Sequence, residues 1–287
     1  MIVSATIDGL HEKLVGPADA LVPWWSIGKT VLAAAAFRLA DHGRLDLDAP
    51  VAGKPFTPRQ LLAHTAGVPD YGHLADYHAA VARGDPPWPV EALLARAHAD
   101  ELLFTPGQGW AYSNIGYLYI RQLIERATDS ELRSALHATV FAPLGLHAVM
   151  TRRRDDMRGL LWPSLRDYDP NWVYHGLIVG TPADAARFLD RLFTTEFLSP
   201  PSRQAMFQAA SITFDLPHRP FSKPTAGTGL MIDPQGPLGL WYGHSGGGPG
   251  SVSAVYRFER TGRVVAAFAD NEDDSALERA VLELAAV

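Results

Sequence analysis

Cysteine is absent from this chain of 287 residues, and lysine is scarce. The lack of cysteine excludes disulfide bonds, zinc–thiolate centres and a cysteine nucleophile. Positive charge is carried mainly by arginine, with 21 arginines against four lysines, at positions 13, 29, 54 and 223. Any chemistry that needs an amine rather than a guanidinium must therefore use one of these four residues.

Long apolar runs and concentrated positive charge are also missing. No run approaches the roughly 20 residues that a transmembrane helix needs. Residues 1–8 lack the positive start and long apolar stretch of a signal peptide. The net charge is −6, and the dense basic run at residues 152–154 is followed at once by two aspartates. We therefore expect a cytoplasmic protein with no membrane contact and no nucleic-acid partner, its oligomeric state being left open.

Strand patterns lie at the two ends of the chain, and helical patterns lie between them. The N-terminal strands flank the Asp8-Gly9 turn, and the last two C-terminal strands form a hairpin through residues 259–262. This distribution predicts an α+β fold in which an antiparallel β-sheet from both chain ends is flanked by helices, with an inserted, mostly helical region. We expect residues 1–28 and 225–287 to form the sheet unit and residues 29–224 the helical unit, with the active site between them.

Start and stop signals divide the chain further. Thr57 to Gln60 is typical of a capping box with proline at the first helical position, and Gly67 is the expected stop. Asn114 is the expected N-cap of another helix. The predicted helices cover residues 58–67, 89–99, 114–127, 130–142, 182–193 and 276–286. The predicted C-terminal strands cover residues 230–232, 240–244, 252–258 and 263–269.

Ser26 and Lys29 combine a hydroxyl with one of the rare lysines. Their spacing places them on one face of a helix, and the apolar run over residues 31–40 predicts that this helix is buried. Ser26 would stand at its N-terminus, where free N–H groups favour a developing oxyanion. A serine hydroxyl needs a base, and a buried lysine becomes one if its pKa falls from about 10.4 to near 7, a change of about 4.6 kcal/mol. The plain alternative is a serine cap beside a lysine that reaches solvent.

Two further motifs carry polar residues that suit the same chemistry. Tyr112 and Asn114 precede a predicted helix, where the tyrosine can relay a proton and the asparagine can orient the lysine or a substrate carbonyl. Residues 243–250 contain His244 among many glycines between two predicted strands, and such glycines let a substrate approach the backbone closely. The structural alternatives are a capped loop for the first motif and a tight turn for the second.

In this order, the three motifs resemble the serine β-lactamase/transpeptidase superfamily. The most similar branch contains class C β-lactamases, D-Ala-D-Ala carboxypeptidases, D-aminopeptidases and related esterases. Its members carry Ser-x-x-Lys, Tyr-x-Asn and Lys/His-Thr/Ser-Gly, which correspond here to Ser26 and Lys29, Tyr112 and Asn114, and His244-Ser245-Gly246. Residues 43–48, 61–67 and 176–189 also resemble the family, so the similarity spans nearly the whole chain.

The resemblance implies a catalytic role for five residues. Ser26 would form the acyl-enzyme. Lys29 and Tyr112 would share the acid/base work, and the resemblance does not decide which of the two is the base. Asn114 would bind Lys29 or the substrate amide, and His244 would face the cleft beside Tyr112. The resemblance implies no metal or other cofactor.

The resemblance also implies how a substrate would be held. The backbone N–H groups of Ser26 and Gly247 would form the oxyanion hole, and Ser245, Gly246 and His175 would contact the substrate. Residues 162–175 would border the site. The candidates for an aromatic lining are Trp24, Trp25, Tyr71, Trp110 and Tyr174.

His244 departs from the lysine that many family members have at this position. A lysine would give a substrate carboxylate a fixed positive charge, whereas histidine is mostly neutral at pH 7. Together with the missing export signal, this favours an esterase or amidase on a small ester, amide or lactam over a dedicated β-lactamase.

Four alternatives stay open at the level of the sequence. Ser245 lies in a Gly-x-Ser-x-Gly pattern typical of α/β-hydrolases, although no histidine follows it and glycines and a proline replace the required helix. His73 and His78 lie near two aspartates, but no metal-hydrolase pattern is present. The other two alternatives are an acyltransferase that uses the same acyl-enzyme and a catalytically silent ligand-binding protein.

Overall fold

The computed structural model describes residues 1–208 and 218–287. Its strands, in chain order, are β1 (Ile2–Asp8), β2 (His11–Val15), β3 (Val22–Pro23), β4 (Val149–Thr151), β5 (Leu177–Gly180), β6 (Thr225–Ala226), β7 (Met231–Gly236), β8 (Gly239–Gly248), β9 (Ser251–Phe258) and β10 (Arg263–Ala269). Within the described residues, a seven-stranded sheet has the order β2-β1-β10-β9-β8-β7-β6, and a three-stranded sheet has the order β3-β5-β4. All strand pairs within these two sheets are antiparallel.

The two chain ends pair with each other within the large sheet. β1 pairs with β10 from Ile2 opposite Ala269 to Ile7 opposite Val264. This confirms the α+β fold with an antiparallel sheet from both termini that the sequence predicts.

Both faces of the large sheet are covered, which explains why β10 is apolar at almost every position. Val264 and Phe268 belong to the core cluster on one face, whereas Val265 and Ala269 belong to the cluster on the other. This follows from the alternation of side chains along a strand.

The helices are α1 (Ile27–Asp41), α2 (Pro58–Leu62), α3 (Ala75–Ala82), α4 (Val90–Arg96), α5 (Asn114–Thr128), α6 (Leu132–Leu136), α7 (Pro182–Thr194), α8 (Pro200–Met206) and α9 (Asp274–Ala286). Helix α7 packs against β1, β9 and β10, while α9 packs against β9 and β10. Nearly all of α1 is buried, as its apolar run predicts. A polar side chain on the inner surface of α1 is therefore far from bulk water.

Several helix boundaries differ from the prediction. Helix α2 has the predicted capping box but ends before Gly67, because His64 already takes a left-handed φ of 59°. The helix predicted over residues 89–99 is only Val90–Arg96, and the one predicted over residues 130–142 is α6 followed by a π-helical turn at His137–Phe141.

Asn114 is not the N-cap of α5, as the sequence predicts, but its first helical residue. Ser113 is the N-cap, and its side chain accepts the Gly116 N–H. The serine is an equally good cap, and this choice leaves the asparagine amide free for another contact.

Most of the glycine-rich motif, residues 243–248, lies inside β8, and Pro249 and Gly250 form the turn to β9. His244, Ser245 and Gly246 pair in register with Val255, Ala254 and Ser253 of β9. Because extended backbone continues through Ser245, the strand-to-helix elbow of α/β-hydrolases is absent at this serine.

Some elements escape prediction, namely α3, α8 and the three-stranded sheet, whose strands are two to four residues long. The division into a sheet unit (residues 1–28 and 225–287) and a helical unit (residues 29–224) stays a proposal, and residues 209–217 of the latter range lie outside the described residues. Helix α7 comes from the second range yet packs on the sheet.

Candidate active site

Ser26 stands at the N-terminus of α1 and lines a cleft of about 910 Å³. The residue before it, Trp25, has a φ of 44°, a left-handed conformation that is uncommon for a bulky side chain. The Trp25 indole N–H donates to Ser251 Oγ at 2.8 Å, which fixes the ring. A constrained backbone next to a half-buried serine is a common feature of functional sites.

Lys29 lies one turn along α1 and is fully buried. Its Nζ is 3.3 Å from Ser26 Oγ and 2.7 Å from Asn114 Oδ1. Burial lowers the pKa of Lys29 to about 7, against the opposing effect of the Asp70 carboxylate. At neutral pH a large part of this amine is therefore unprotonated and able to accept a proton.

Tyr112 contacts the same serine from the other side. Its Oη lies 2.8 Å from Ser26 Oγ, and Lys29 Nζ lies 4.9 Å from its ring centroid. Burial raises the pKa of Tyr112 well above its ordinary value. The phenol is therefore neutral in the resting site, not a phenolate, and it can donate a proton to a neighbouring group.

Asn114 is oriented by Asp70, a residue that the sequence interpretation did not single out for the site. Asp70 accepts the Asn114 backbone N–H at 2.8 Å and the side-chain Nδ2 at 3.2 Å. The amide oxygen of Asn114 must then point to Lys29. Of the two partners that the resemblance implies for Asn114, the structure places Lys29 in contact.

His244 lines the same cleft as Tyr112 and is buried. Its Nδ1 lies 2.5 Å from the Ser245 carbonyl oxygen. Burial, and then the charge of Lys29, lower the pKa of His244 to about 3. This imidazole is neutral at physiological pH, so it supplies no positive charge to the cleft.

Strand β8 brings its glycines against the start of α1. A Cβ at Gly246 would lie 2.3 Å from the Ser26 nitrogen, and one at Gly248 would lie 2.5 Å from the Trp25 ring. Only glycine permits this approach. Gly247, between them, is exposed and lines the cleft.

Ser245 contacts a charged cluster that sequence reasoning missed. Arg219 lines the cleft and donates to Ser245 Oγ at 2.6 Å and, through Nε, to Glu278 Oε2 at 2.7 Å. Arg219 also contacts the second oxygen of Glu278, which accepts the Tyr256 hydroxyl at 2.8 Å. Glu278 is wholly buried. No sequence signal links these residues, because three separate segments supply them.

Glu278→Ala is expected to lower the free energy of unfolding by about 3 kcal/mol, since it removes the buried counter-ion of Arg219 and leaves the half-exposed Asp274, whose Oδ2 lies 3.7 Å from Arg219 Nε. Chemical denaturation monitored by circular dichroism measures this. As a control, Glu131→Ala breaks an ion pair with Arg152 whose members are 71% and 41% exposed, and should change stability little. Equal stability of both variants would contradict the structural role of Glu278.

His175 and His64 are two further buried histidines that line the cleft. His175, expected to contact substrate, has its Nε2 3.4 Å from Lys29 Nζ. His64 Nδ1 accepts the Ser113 N–H at 3.0 Å, and its ring lies 4.6 Å from that of Tyr112. His64 lies in residues 61–67, which resemble the family. This resemblance is the sequence feature that could have indicated a place for His64 in the site.

The aromatic lining is only partly as predicted. Trp25, Tyr71 and Trp110 line the cleft, whereas Trp24 and Tyr174 do not and are buried in the core. Additional aromatic rings come from Tyr77 and Tyr168, the latter from the predicted bordering segment.

Within residues 1–208 and 218–287, no three histidine or acidic side chains are grouped so that they could hold a metal ion. Over the same residues, none of the helices is both long enough and apolar enough to cross a membrane.

The three motifs thus meet at one cleft, in a fold with an antiparallel sheet between helical layers. The chain belongs to the beta-lactamase family, whose sequence profile matches residues 11–287. The resemblance seen in the three motifs is therefore confirmed.

Two curated relatives show the range of this family. Penicillin-binding protein 4* of Bacillus subtilis (strain 168) is 25% identical over an alignment of 314 residues, covering 96% of this chain and 66% of that protein. Esterase EstB of Burkholderia gladioli is 32% identical over 162 residues, covering 48% of this chain and 41% of the esterase. The chain spans less than two thirds of the length of either relative.

Solved structures show the same fold. A D-stereospecific amidohydrolase from Streptomyces sp. has a TM-score of 0.81 at 25% identity, covering 94% of this chain and 89% of that one. The D-amino acid amidase from Ochrobactrum anthropi SV3 has a TM-score of 0.84 at 23% identity, covering 100% and 95%. Both superpose over nearly the whole described fold.

Proposed function

We propose that this protein is a serine hydrolase that forms an acyl-enzyme on Ser26 and acts as an esterase or amidase on a small ester, amide or lactam. One observation carries the proposal: Ser26, which lines the cleft, has its Oγ 2.8 Å from Tyr112 Oη and 3.3 Å from Lys29 Nζ. A nucleophile in contact with both a base and a proton donor is the arrangement that covalent catalysis needs.

Lys29 is the base in this proposal. Its pKa of about 7 leaves a substantial fraction of the amine neutral, whereas Tyr112 is held in its protonated form. As Ser26 Oγ attacks the substrate carbonyl, its proton moves to Lys29 Nζ. The tetrahedral oxyanion is held by the backbone N–H groups of Ser26 and Gly247.

Tyr112 then gives its proton to the leaving oxygen or nitrogen, and the Lys29 ammonium restores the phenol. In the second half, Lys29 takes a proton from water, whose hydroxide attacks the acyl carbonyl. Lys29 returns that proton to Ser26 Oγ as the acid leaves. Each step conserves protons, and both residues end in their starting states.

The charges around the cleft support an ester or amide over a carboxylate-bearing lactam. His244 is neutral, and Arg219 is bound through both Glu278 oxygens. Two carboxylates, Glu272 and Asp274, also line the cleft. A substrate carboxylate would meet little free positive charge here.

The aromatic side of the cleft supports a substrate with an apolar group. The rings of Trp25 and Tyr168 lie 5.5 Å apart at 80°, and Tyr71 and Tyr77 lie 4.9 Å apart. All four line the cleft. Stacked and edge-on aromatic surfaces bind planar or branched apolar groups well. The names of the relatives, an esterase and a D-stereospecific amidohydrolase, are consistent with this choice.

A fluorophosphonate probe tests the proposal. We expect one covalent adduct, mapped by peptide mass spectrometry to Ser26. A panel of p-nitrophenyl esters, D-amino acid amides and a chromogenic cephalosporin should show faster turnover of esters or amides with aromatic groups than of the cephalosporin. A product formed with added alcohol or amine in preference to water would indicate an acyltransferase, and the absence of any adduct would indicate a ligand-binding protein.

A further inference from the structure

His175 is a buried histidine for which the mechanism above has no use. It follows the 3₁₀ turn at Pro170–Trp172 and directly precedes Gly176, whose φ of 101° is a conformation suited to glycine. This backbone turn places the imidazole beside the first turn of α1. Only 3% of His175 is exposed, so its partners are protein atoms rather than bulk water.

A neutral amine has two N–H donors and one lone pair, and the surroundings of Lys29 match that count. Asn114 Oδ1 is an acceptor at 2.7 Å, and its orientation is fixed by Asp70. His175 Nε2 lies at 3.4 Å, the long end of the range seen in resting catalytic sites. Ser26 Oγ, at 3.3 Å, is the group whose proton must be received.

We propose that His175 is a positioning residue whose unprotonated Nε2 accepts one N–H of Lys29, so that Asn114 and His175 together direct the amine lone pair at Ser26 Oγ. This inference rests on the proposed function, in which Lys29 is the base. It assigns His175 to the lysine rather than to the substrate.

The proposal fixes the tautomer of His175. If Nε2 accepts from Lys29, the ring proton is on Nδ1. The opposite tautomer would donate Nε2–H to the lysine lone pair and so block proton transfer from Ser26. Nδ1 has no hydrogen-bond partner among the described residues, so the contact with Lys29 is the one that discriminates between the tautomers.

The two tautomers also predict opposite effects on the lysine. An acceptor at His175 stabilises the ammonium, so its removal lowers the pKa of Lys29, whereas removal of a donor raises it. Six other ionisable residues act on the Lys29–His175 pair. Four are neutral buried rings, namely His64, His244, Tyr112 and Tyr117, and the other two are the charged residues Asp70 and Arg121. Substitutions at His175 leave all six of these residues in place.

The test compares His175→Leu, which has no acceptor, with His175→Gln, whose carbonyl can accept. ¹⁵N NMR of lysine-labelled protein gives the pKa of Lys29 directly, since the chain has only four lysines. In His175→Leu we expect this pKa to fall by about 0.5–1 pH unit. We also expect kcat to fall about 10- to 100-fold with little change in KM. His175→Gln should restore most of the Lys29 pKa and most of kcat. His11→Leu, a change at an exposed position on β2, should alter neither the pKa nor kcat.

A rise in the Lys29 pKa in His175→Leu would overturn the proposal, as would an unchanged value. Long-range ¹H–¹⁵N spectra of the unmodified protein give the tautomer even if the variant does not fold. A proton on Nδ1 supports the proposal, and a proton on Nε2 overturns it. Both NMR measurements use resting protein, so a failure of Ser26 labelling, which would overturn the proposed function, is a separate result.

Discussion

Ser26→Ala is expected to lower kcat/KM by about 10⁴- to 10⁶-fold and to abolish labelling by a fluorophosphonate. In the proposed mechanism the hydroxyl oxygen bonds to the acyl group, and alanine offers no substitute. Folding should be preserved, because Ser26 makes no side-chain cap on α1. Hydrolysis of the best ester in the panel and intact-protein mass spectrometry measure the two effects.

Ser245→Ala is the matched comparison for this prediction. Ser245 lies in the same cleft but contacts Arg219 rather than a base, so its loss should weaken turnover far less and leave labelling at Ser26 intact. Loss of activity in Ser245→Ala with retention in Ser26→Ala would refute the whole assignment. Thermal unfolding of both variants checks that neither loss comes from misfolding.

Lys29→Met and Lys29→Arg are expected to lower kcat/KM by about 10²- to 10⁴-fold. Methionine has no proton acceptor, and arginine stays charged, so neither can serve as a base. Lys29→Met should be at least as stable as the unmodified protein, because it removes a buried amine whose charged form burial penalises. Steady-state kinetics and denaturant unfolding of each variant give these values.

The pH dependence of the unmodified protein follows from the same residue. The pKa of Lys29 is lowered to about 7, so kcat/KM should fall as the pH drops through that value and the base becomes protonated. Between that pH and the ordinary lysine value, the unfolded chain binds more protons than the folded protein, so stability should rise with pH over this window. Lys54→Met, at a lysine paired with exposed Asp100, serves as the control and should keep both profiles. A flat kcat/KM between pH 5 and 9 would contradict Lys29 as the base.

The burial that makes Lys29 useful is also a cost to the fold. Most of α1 is apolar and buried, and a charged amine there is unfavourable without a counter-ion in contact. The structure supplies the neutral acceptors Asn114 and His175 instead. This tunes the amine for proton transfer while Asp70 limits how far its pKa falls.

The sequence alone determined the features that depend on local pattern. The strand patterns at the two chain ends, the apolar run of α1 and the capping box at Thr57 are local signals, and the structure confirms all three. The proposed nucleophile Ser26 and its lysine were visible because their spacing places them on one helical face. Absolute counts also mattered, since scarcity of lysine in an arginine-rich chain singled out Lys29.

Other parts of the fold lack such signals. The strands of the small sheet are two to four residues long and carry too few residues for a period-two pattern. The end of α2 is set by the left-handed backbone at His64, not by the downstream glycine. At α5, two adjacent residues could both act as the cap, and tertiary contacts gave that role to Ser113 so that Asn114 reaches Asp70 and Lys29.

Only the tertiary structure decided how the polar residues divide their work. Arg219, Tyr256 and Glu278 come from separate segments, yet they form one buried network behind Ser245. His175 is 146 residues from Lys29 in sequence and in contact with it in space. Composition and periodicity indicate which residues can be buried and where a helix or strand forms. Contact between distant side chains, and the burial that lowers the pKa of Lys29 and keeps His244 neutral, exist only once the sheet and helices have packed together.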